Sequence, residues 1–204
     1  MKKRMKTGNG KTGRPISFDR DAALEAAMLL FWERGYEGTS MADLTQAMGL
    51  NPSSIYAAFG DKHALFQLAV KRYMEKRAIY AGKALEEPTL EKFIRALFSN
   101  TVAFLTTPGH PPTCMTLAGA MGCSADATPA RNLMTEVRKQ NELAMSGRLL
   151  QARKSGELSK DIDLDDYTRY LSTIIAGLSI QAANGSTKAE LKRTAQMALR
   201  HLGY

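Results

Sequence analysis

Residues 40–62 read SMADLTQAMGLNPSSIYAAFGDK, and this stretch decides the fold. Ser40 followed three residues later by Asp43 has capping-box spacing and predicts a short helix running to Met48, with Met41, Leu44 and Met48 on its inner stripe. Gly49 supplies the positive φ of a tight turn, and Leu50 can plug the gap between two helices. Asn51 then Pro52 are an N-cap and a first helical position, opening a second short helix to Phe59. Ile55 and Phe59, four residues apart, face inward. Gly60 ends this helix, and Asp61 caps a longer amphipathic one through Leu65, Phe66, Leu68, Ala69 and Tyr73 to about Lys83.

Upstream, a helix is expected from about Arg20 to Arg34, with Ser17 or Asp19 as N-cap, Leu24, Ala27, Met28 and Phe31 on one face, and Gly35 as its stop. Two short helices joined by a glycine turn and held between two longer ones form a helix-turn-helix unit with its own small core. Such pairs also occur in all-α proteins that never meet nucleic acid, so the outer face carries the argument. Pro52, Ser53, Tyr56 and Ala57 point outward beside a capped helix N-terminus. Small and polar groups suit close approach to base edges, the Tyr56 hydroxyl can reach phosphate, and Lys62 adds a cation next to backbone N–H groups.

The charge distribution agrees. The chain of 204 residues has 28 basic and 20 acidic side chains, a net +8. Lys2, Lys3, Arg4, Lys6, Lys11 and Arg14 fall within residues 1–15, where there is no acid, so most of the excess sits in a basic arm before a near-neutral body. Gly10, Lys11 and Thr12 imitate the end of a phosphate-cradling loop, but Met5 occupies the position of its first glycine and no strand precedes it. The two cysteines, Cys114 and Cys123, and three histidines match no common zinc spacing, so no metal is expected, and His110 with the cysteines reads as a flexible loop. No apolar run reaches the ~18 residues of a membrane span, and a cytoplasmic protein is expected. No nucleophile and base set, paired carboxylates or cofactor loop emerges, which argues against an enzyme.

The stretch from residue 18 to 70 resembles the tetracycline-repressor (TetR) family of bacterial transcription regulators. The resemblance rests on Ala22 to Phe31, Gly35, Tyr36, Thr39, Ser40, Met48, Gly49, Leu50 and the run Ser54, Ile55, Tyr56, Ala57, Ala58, Phe59, Gly60, Asp61, Lys62. It implies an all-α fold with an N-terminal three-helix DNA-binding domain and a C-terminal helical domain for ligand binding and dimerisation. The boundaries expected are an arm at 1–15, the DNA-binding domain at 16–78 and the second domain at 79–204. Carried onto this sequence, the DNA-contacting positions are Ser40, Met41, Asn51, Pro52, Ser53, Tyr56, Ala57 and Lys62, with Arg14 placed to reach the minor groove. Many members carry an aromatic and a histidine where Ala57 and Ala58 stand, so the histidine's phosphate contact does not transfer. An alanine methyl can meet a thymine methyl instead.

Beyond Lys76 the reading rests on pattern. Helices are expected at Leu90 to Leu105, Thr113 to Gly122, Pro129 to Lys154, Leu164 to Asn184 and Lys188 to Leu202, broken at 108–112, 125–128 and Gly156. The sequence Gly156, Glu157, Leu158 is also familiar from the family. Cys114, Met115, Met121, Met134 and Val137 are candidate walls of an effector cavity, with Leu117, Leu133, Leu143 and Met145 nearby. The scarcity of charge there suggests an apolar or weakly polar effector, although a methionine stripe is also plain core. Cys114, opening a helix, is either a small buried hydrophobe or a reactive thiol. Tyr167, Tyr170, Leu171, Ile174 and Leu178 line one late helix, and Leu191, Ala195 and Leu199 line the other. They close the monomer's core or, as the resemblance implies, form a homodimer's four-helix seam. The partners expected are thus double-stranded DNA bearing a pseudo-palindromic operator, a small effector and a second copy, with no cofactor and no membrane. A cysteine-based redox or electrophile sensor, and a non-specific DNA-coating protein, are the alternatives.

Overall fold

In the computed structural model, residues 18–118 and 127–204 are described, and the side chains of residues 77–81 are not. The described chain is helical throughout: α1 (Arg20–Arg34), α2 (Met41–Met48), α3 (Pro52–Phe59), α4 (Lys62–Leu85), α5 (Leu90–Leu105), α6 (Met115–Ala118), α7 (Thr128–Lys154), α8 (Leu164–Ala183) and α9 (Lys188–His201). No strand occurs among the described residues. Met121, Cys123, Arg14 and the rest of the basic arm lie outside them.

Local chemistry sets the boundaries. Asp19 is the N-cap of α1, its carboxylate accepting from the amides of Asp21 and Ala22. Ser40 and Asp43 form the reciprocal capping box of α2. Asn51, Asp61, Thr89, Asp163 and Thr187 cap the helices that follow them. Gly49 adopts φ +63°, and the amide of Leu50 donates to Thr45 beyond it. That turn sets α3 across α2. At Gly38 a Cβ would stand 2.3 Å from the Arg34 carbonyl oxygen, so the α1–α2 link closes this tightly only without a side chain.

α1 packs against α2 and α4, α4 against α5 and α7, α7 against α8, and α9 against α5 and α8. α1 also touches α6, adding to the joins that α4 makes with α5 and α7 between the first four helices and the rest. Phe31, Phe66, Leu44, Ile55 and Leu65 form the inside of the N-terminal unit. Glu25 on α1 accepts from Arg72 (2.7 Å) and Lys76 on α4. Burial works against the Glu25 charge, but the hydrogen bonds and charges of Lys76 and Arg72 outweigh it and hold the carboxyl below its ordinary 4.5. A depressed carboxyl stabilises the fold above its unfolded value and loses that contribution as pH falls through the folded one. The melting temperature of Glu25→Gln is therefore expected to lie below the parent's at neutral pH and to converge with it as pH falls below 4.5. A gap that stays constant down to pH 3 would show that the ion pairs contribute nothing to it.

Two expectations change. The segment from Pro108 to Cys114, read as a flexible Cys and His loop, is anchored: the His110 ring stacks on Trp32 at 4.5 Å, and the Trp32 indole N–H donates to the Thr113 carbonyl (2.9 Å). Its prolines and glycine break the helix, but its aromatic ring finds a partner on α1. The expected helix from Thr113 begins at Met115, and four residues of it are described.

Candidate nucleic-acid interface and effector region

The α2–α3 unit presents one continuous outer surface. Asn51, Pro52, Ser53, Tyr56 and Ala57 are exposed, as is Ser40, while Met41 is half-buried against the core. Ile55 and Phe59 pin α3 from beneath, as their four-residue spacing requires. Asn51 is committed to capping: its Oδ1 accepts from the Ser54 amide (2.9 Å) and from the Ser53 hydroxyl (2.8 Å). The Ser53 hydroxyl thus enters any DNA complex already aimed along the helix N-terminus. Tyr56 is 51% exposed, its ring projecting from the middle of α3.

Lys62 sits differently from a free surface lysine. Its ammonium lies over the Tyr36 ring at 4.3 Å from the centroid. Burial draws its pKa down, opposed by the charges of Glu37 and Asp43. A phosphate at this end of the surface therefore meets a cation held in place by an aromatic ring. Arg20 is a contributor that the sequence reading passed over. Its Nη2 donates to the Ala58 carbonyl (3.2 Å) and its guanidinium lies 4.9 Å from the centre of the Phe59 ring, putting an exposed cation at the C-terminal end of α3. The signal was a cation in the first turn of α1, where the helix dipole disfavours it.

The chain's only tryptophan was missed as well. Trp32 is 2% exposed and packs against Tyr73 of α4, Phe104 of α5 and His110. The adjacent Phe31 packs on Phe66 of α4 and on Tyr36, so two neighbouring aromatics on one helix meet different partners within one continuous core. That adjacency was the available clue.

The effector candidates separate. Met115, Met134 and Val137 are buried in the continuous core. Leu143, by contrast, is exposed on α7. Cys114 is buried but borders a cavity of about 250 Å³ between α6, α7 and α8, together with Leu117 and Met145. Its thiol accepts from the Tyr73 hydroxyl (3.3 Å) and lies 3.0 Å from the Thr116 hydroxyl oxygen. The lining also holds Arg138, Asn141, Glu142, Arg169 and Ser172, more polar than the sequence suggested.

Leu171, Leu178, Leu191, Ala195 and Leu199 are buried within their own chain, because α8 and α9 pack on α5 and on each other. Tyr167 and Ile174 are half-buried, and Tyr170 is exposed. Tyr170 and Ile180 on α8 and Met197 on α9 are exposed large apolar side chains.

Residues 23–69 match the model of the bacterial regulatory proteins, tetR family. The chain is 33% identical to the HTH-type transcriptional repressor ComR of Escherichia coli K12, over 92% of this chain and 90% of that protein. The chain belongs to the TetR family. It is a DNA-binding transcription regulator of all-α fold and not an enzyme, as TetR-family proteins are. The E. coli K12 repressor BdcR is 29% identical over 91% of this TetR-family chain and 90% of its own length. A cysteine-substituted form of the TetR-family regulator CifR, solved on 26 base pairs of double-strand operator DNA, superposes with a TM-score of 0.88. It is 33% identical and covers 92% of this chain and 98% of its own.

Proposed function

We propose that this TetR-family regulator is a homodimeric repressor, released from a pseudo-palindromic operator by a small effector with a largely apolar body. The observation that carries the reading is the outer face of α3: a capped helix N-terminus, small residues and Tyr56, with Lys62 opening the next helix just beyond its C-terminal end and Arg20 bonded to Ala58 there. Similar chains include the repressors ComR and BdcR, and CifR on operator DNA, which supports a repressor reading. In this scheme residues 16–78 bind DNA and 79–204 bind effector and partner, in the cytoplasm. Two copies of α3 enter successive major grooves about 34 Å apart. Ser40, Met41, Asn51, Pro52, Ser53 and Ala57 face bases or the groove wall, Tyr56, Lys62 and Arg20 face phosphates, and Arg14 of the arm reaches the minor groove. An effector that favours the conformation with mis-spaced recognition helices releases DNA, and one that binds both conformations equally does nothing.

Footprinting on the DNA flanking its own gene locates the operator, and a salt titration then tests the face. Lys62→Ala is expected to weaken binding to every sequence and to reduce the salt slope by about one charge. Ser53→Ala is expected to change preference among operator variants instead. Parental behaviour of both variants would place the DNA-reading surface elsewhere, and operator binding lost to excess random DNA would mark a coating protein.

A second reading is favoured by one observation, the Cys114 thiol at the cavity wall. If an oxidant or electrophile is the trigger, Cys114→Ser abolishes release; if the effector binds non-covalently, that variant responds like the parent.

A further inference from the structure

The cavity between α6, α7 and α8 has a chemistry that narrows the effector. Its wall is mainly apolar, with Leu117, Met145, Ile175 and Ala176 exposing hydrocarbon to it. Its polar groups include two cations, Arg138 and Arg169, beside Asn141, Thr116 and Thr173, which can donate or accept. The Arg138 guanidinium is fixed as a fork, Nη1 donating to the Thr116 carbonyl (2.7 Å) and Nη2 to the Thr135 hydroxyl (2.9 Å). A guanidinium has five N–H groups and no acceptor, so donors remain after those two bonds. Arg169 adds a second cation from α8, though it already pairs with exposed Asp166 (2.7 Å). The Ser172 hydroxyl, also in the lining, is buried without a hydrogen-bond partner. Glu142 is the acid of the lining, and it is exposed to solvent, where its repulsion is screened.

The same cavity is wired to the DNA-binding unit. Cys114, Thr116 and Leu117 form its wall on the α6 side, and Thr113 adjoins Cys114 in the chain. The Thr113 carbonyl accepts from the Trp32 indole on α1 (2.9 Å), the Cys114 thiol accepts from Tyr73 on α4 (3.3 Å), and the Cys114 amide donates to Ser179 on α8 (2.8 Å). A ligand pressing on Thr116 or Leu117 shifts a segment bonded to three helices, two of which carry the recognition unit.

We propose that this cavity takes a small carboxylate with a short apolar body, its carboxylate held by Arg138 and its hydrocarbon lying against Leu117, Met145 and Ile175. The inference rests on the effector-released repressor reading and specifies the ligand class of that effector's site. The volume, about 250 Å³, falls below the roughly 300–1,000 Å³ of sites for drug-sized ligands, so the ligand is small. Binding moves Thr113, and with it Trp32 and α1.

The test uses the full chain on its footprinted operator, with hexanoate as probe and hexanamide and hexanol as neutral controls. Trp32 is the chain's sole tryptophan, so its emission reports the segment directly. Hexanoate is expected to shift that emission and release DNA at concentrations about tenfold or more below either control, since a charge-assisted bond is lost in both. Arg138→Gln should raise the hexanoate concentration needed about ten- to a hundredfold. Ala176→Leu, which keeps every charge and narrows the cavity, should block hexanoate while operator binding stays at the parental level. Equal action of hexanoate and hexanamide, an unaltered response in Arg138→Gln or in Ala176→Leu, or no hexanoate response at all overturns the assignment. Failure of the repressor reading shows separately, as loss of specific operator binding by the parent protein before any carboxylate is added.

Discussion

A chain carrying Ile180→Glu with Met197→Glu is expected to fold as a monomer and to bind its operator about 10²–10⁴-fold more weakly than the parent. The magnitude is the half-site avidity that separates one tethered recognition helix from two. The sites are chosen by exposure: Ile180 is 48% and Met197 64% exposed, whereas substitution at exposed positions usually changes stability by no more than about 0.5 kcal/mol. Glutamate on both faces of a two-fold seam brings like charges together and removes apolar area at once. Sedimentation, a thermal melt and an operator titration read the three consequences separately. A folded double variant that still sediments as a dimer places the interface on another surface. Aspartate at Leu178 would answer a different question. That side chain is 1% exposed in its own chain, so a charge there disrupts the monomer core and confuses unfolding with dissociation.

The difference between Leu178 and Ile180 shows where sequence reading stops. Both are apolar and both sit on α8. A stripe that closes a monomer core and a stripe that waits for a second copy obey the same 3.6-residue period, so periodicity finds α8 and α9 without dividing their faces. The division comes from α5, which covers parts of both late helices and ends 59 residues before α8 begins. The N-terminal unit was legible because its signals are local. Asp19, Ser40 with Asp43, Gly49 and Asn51 with Pro52 each act within four residues, and each end they mark is where the helix begins or stops. The site followed only in part. Exposure of Ser53, Tyr56 and Ala57 came from helix geometry, but the seat of Lys62 on Tyr36 and of Arg20 at Ala58 depends on contacts between helices. In the cavity, Arg138 and Ser172 carry polar chemistry that an apolar stripe reading could not attract attention to.

Trp32→Ala is the other substitution with a large expected effect, about 3–5 kcal/mol of stability. The indole is 2% exposed and fills the space between Tyr73, Phe104 and His110, with ring centres 4.8, 5.6 and 4.5 Å away. Its removal leaves a cavity among rings that cannot collapse together, and strands the Thr113 carbonyl that the indole N–H satisfied. Against the roughly 5–15 kcal/mol that domains possess in total, such a loss moves the urea midpoint far enough to measure with confidence. Trp32→Phe separates packing from coupling. It keeps an aromatic against Phe104 and His110 but has no N–H to hold Thr113, so it is expected to fold and bind operator near the parental level while needing more effector for release. If Trp32→Ala costs less than about 1 kcal/mol, the aromatic cluster does not fasten the two halves. If Trp32→Phe releases DNA at the parental effector concentration, then α1 senses the effector region by a route other than the indole, and direct packing of α1 on α6 becomes the path to examine.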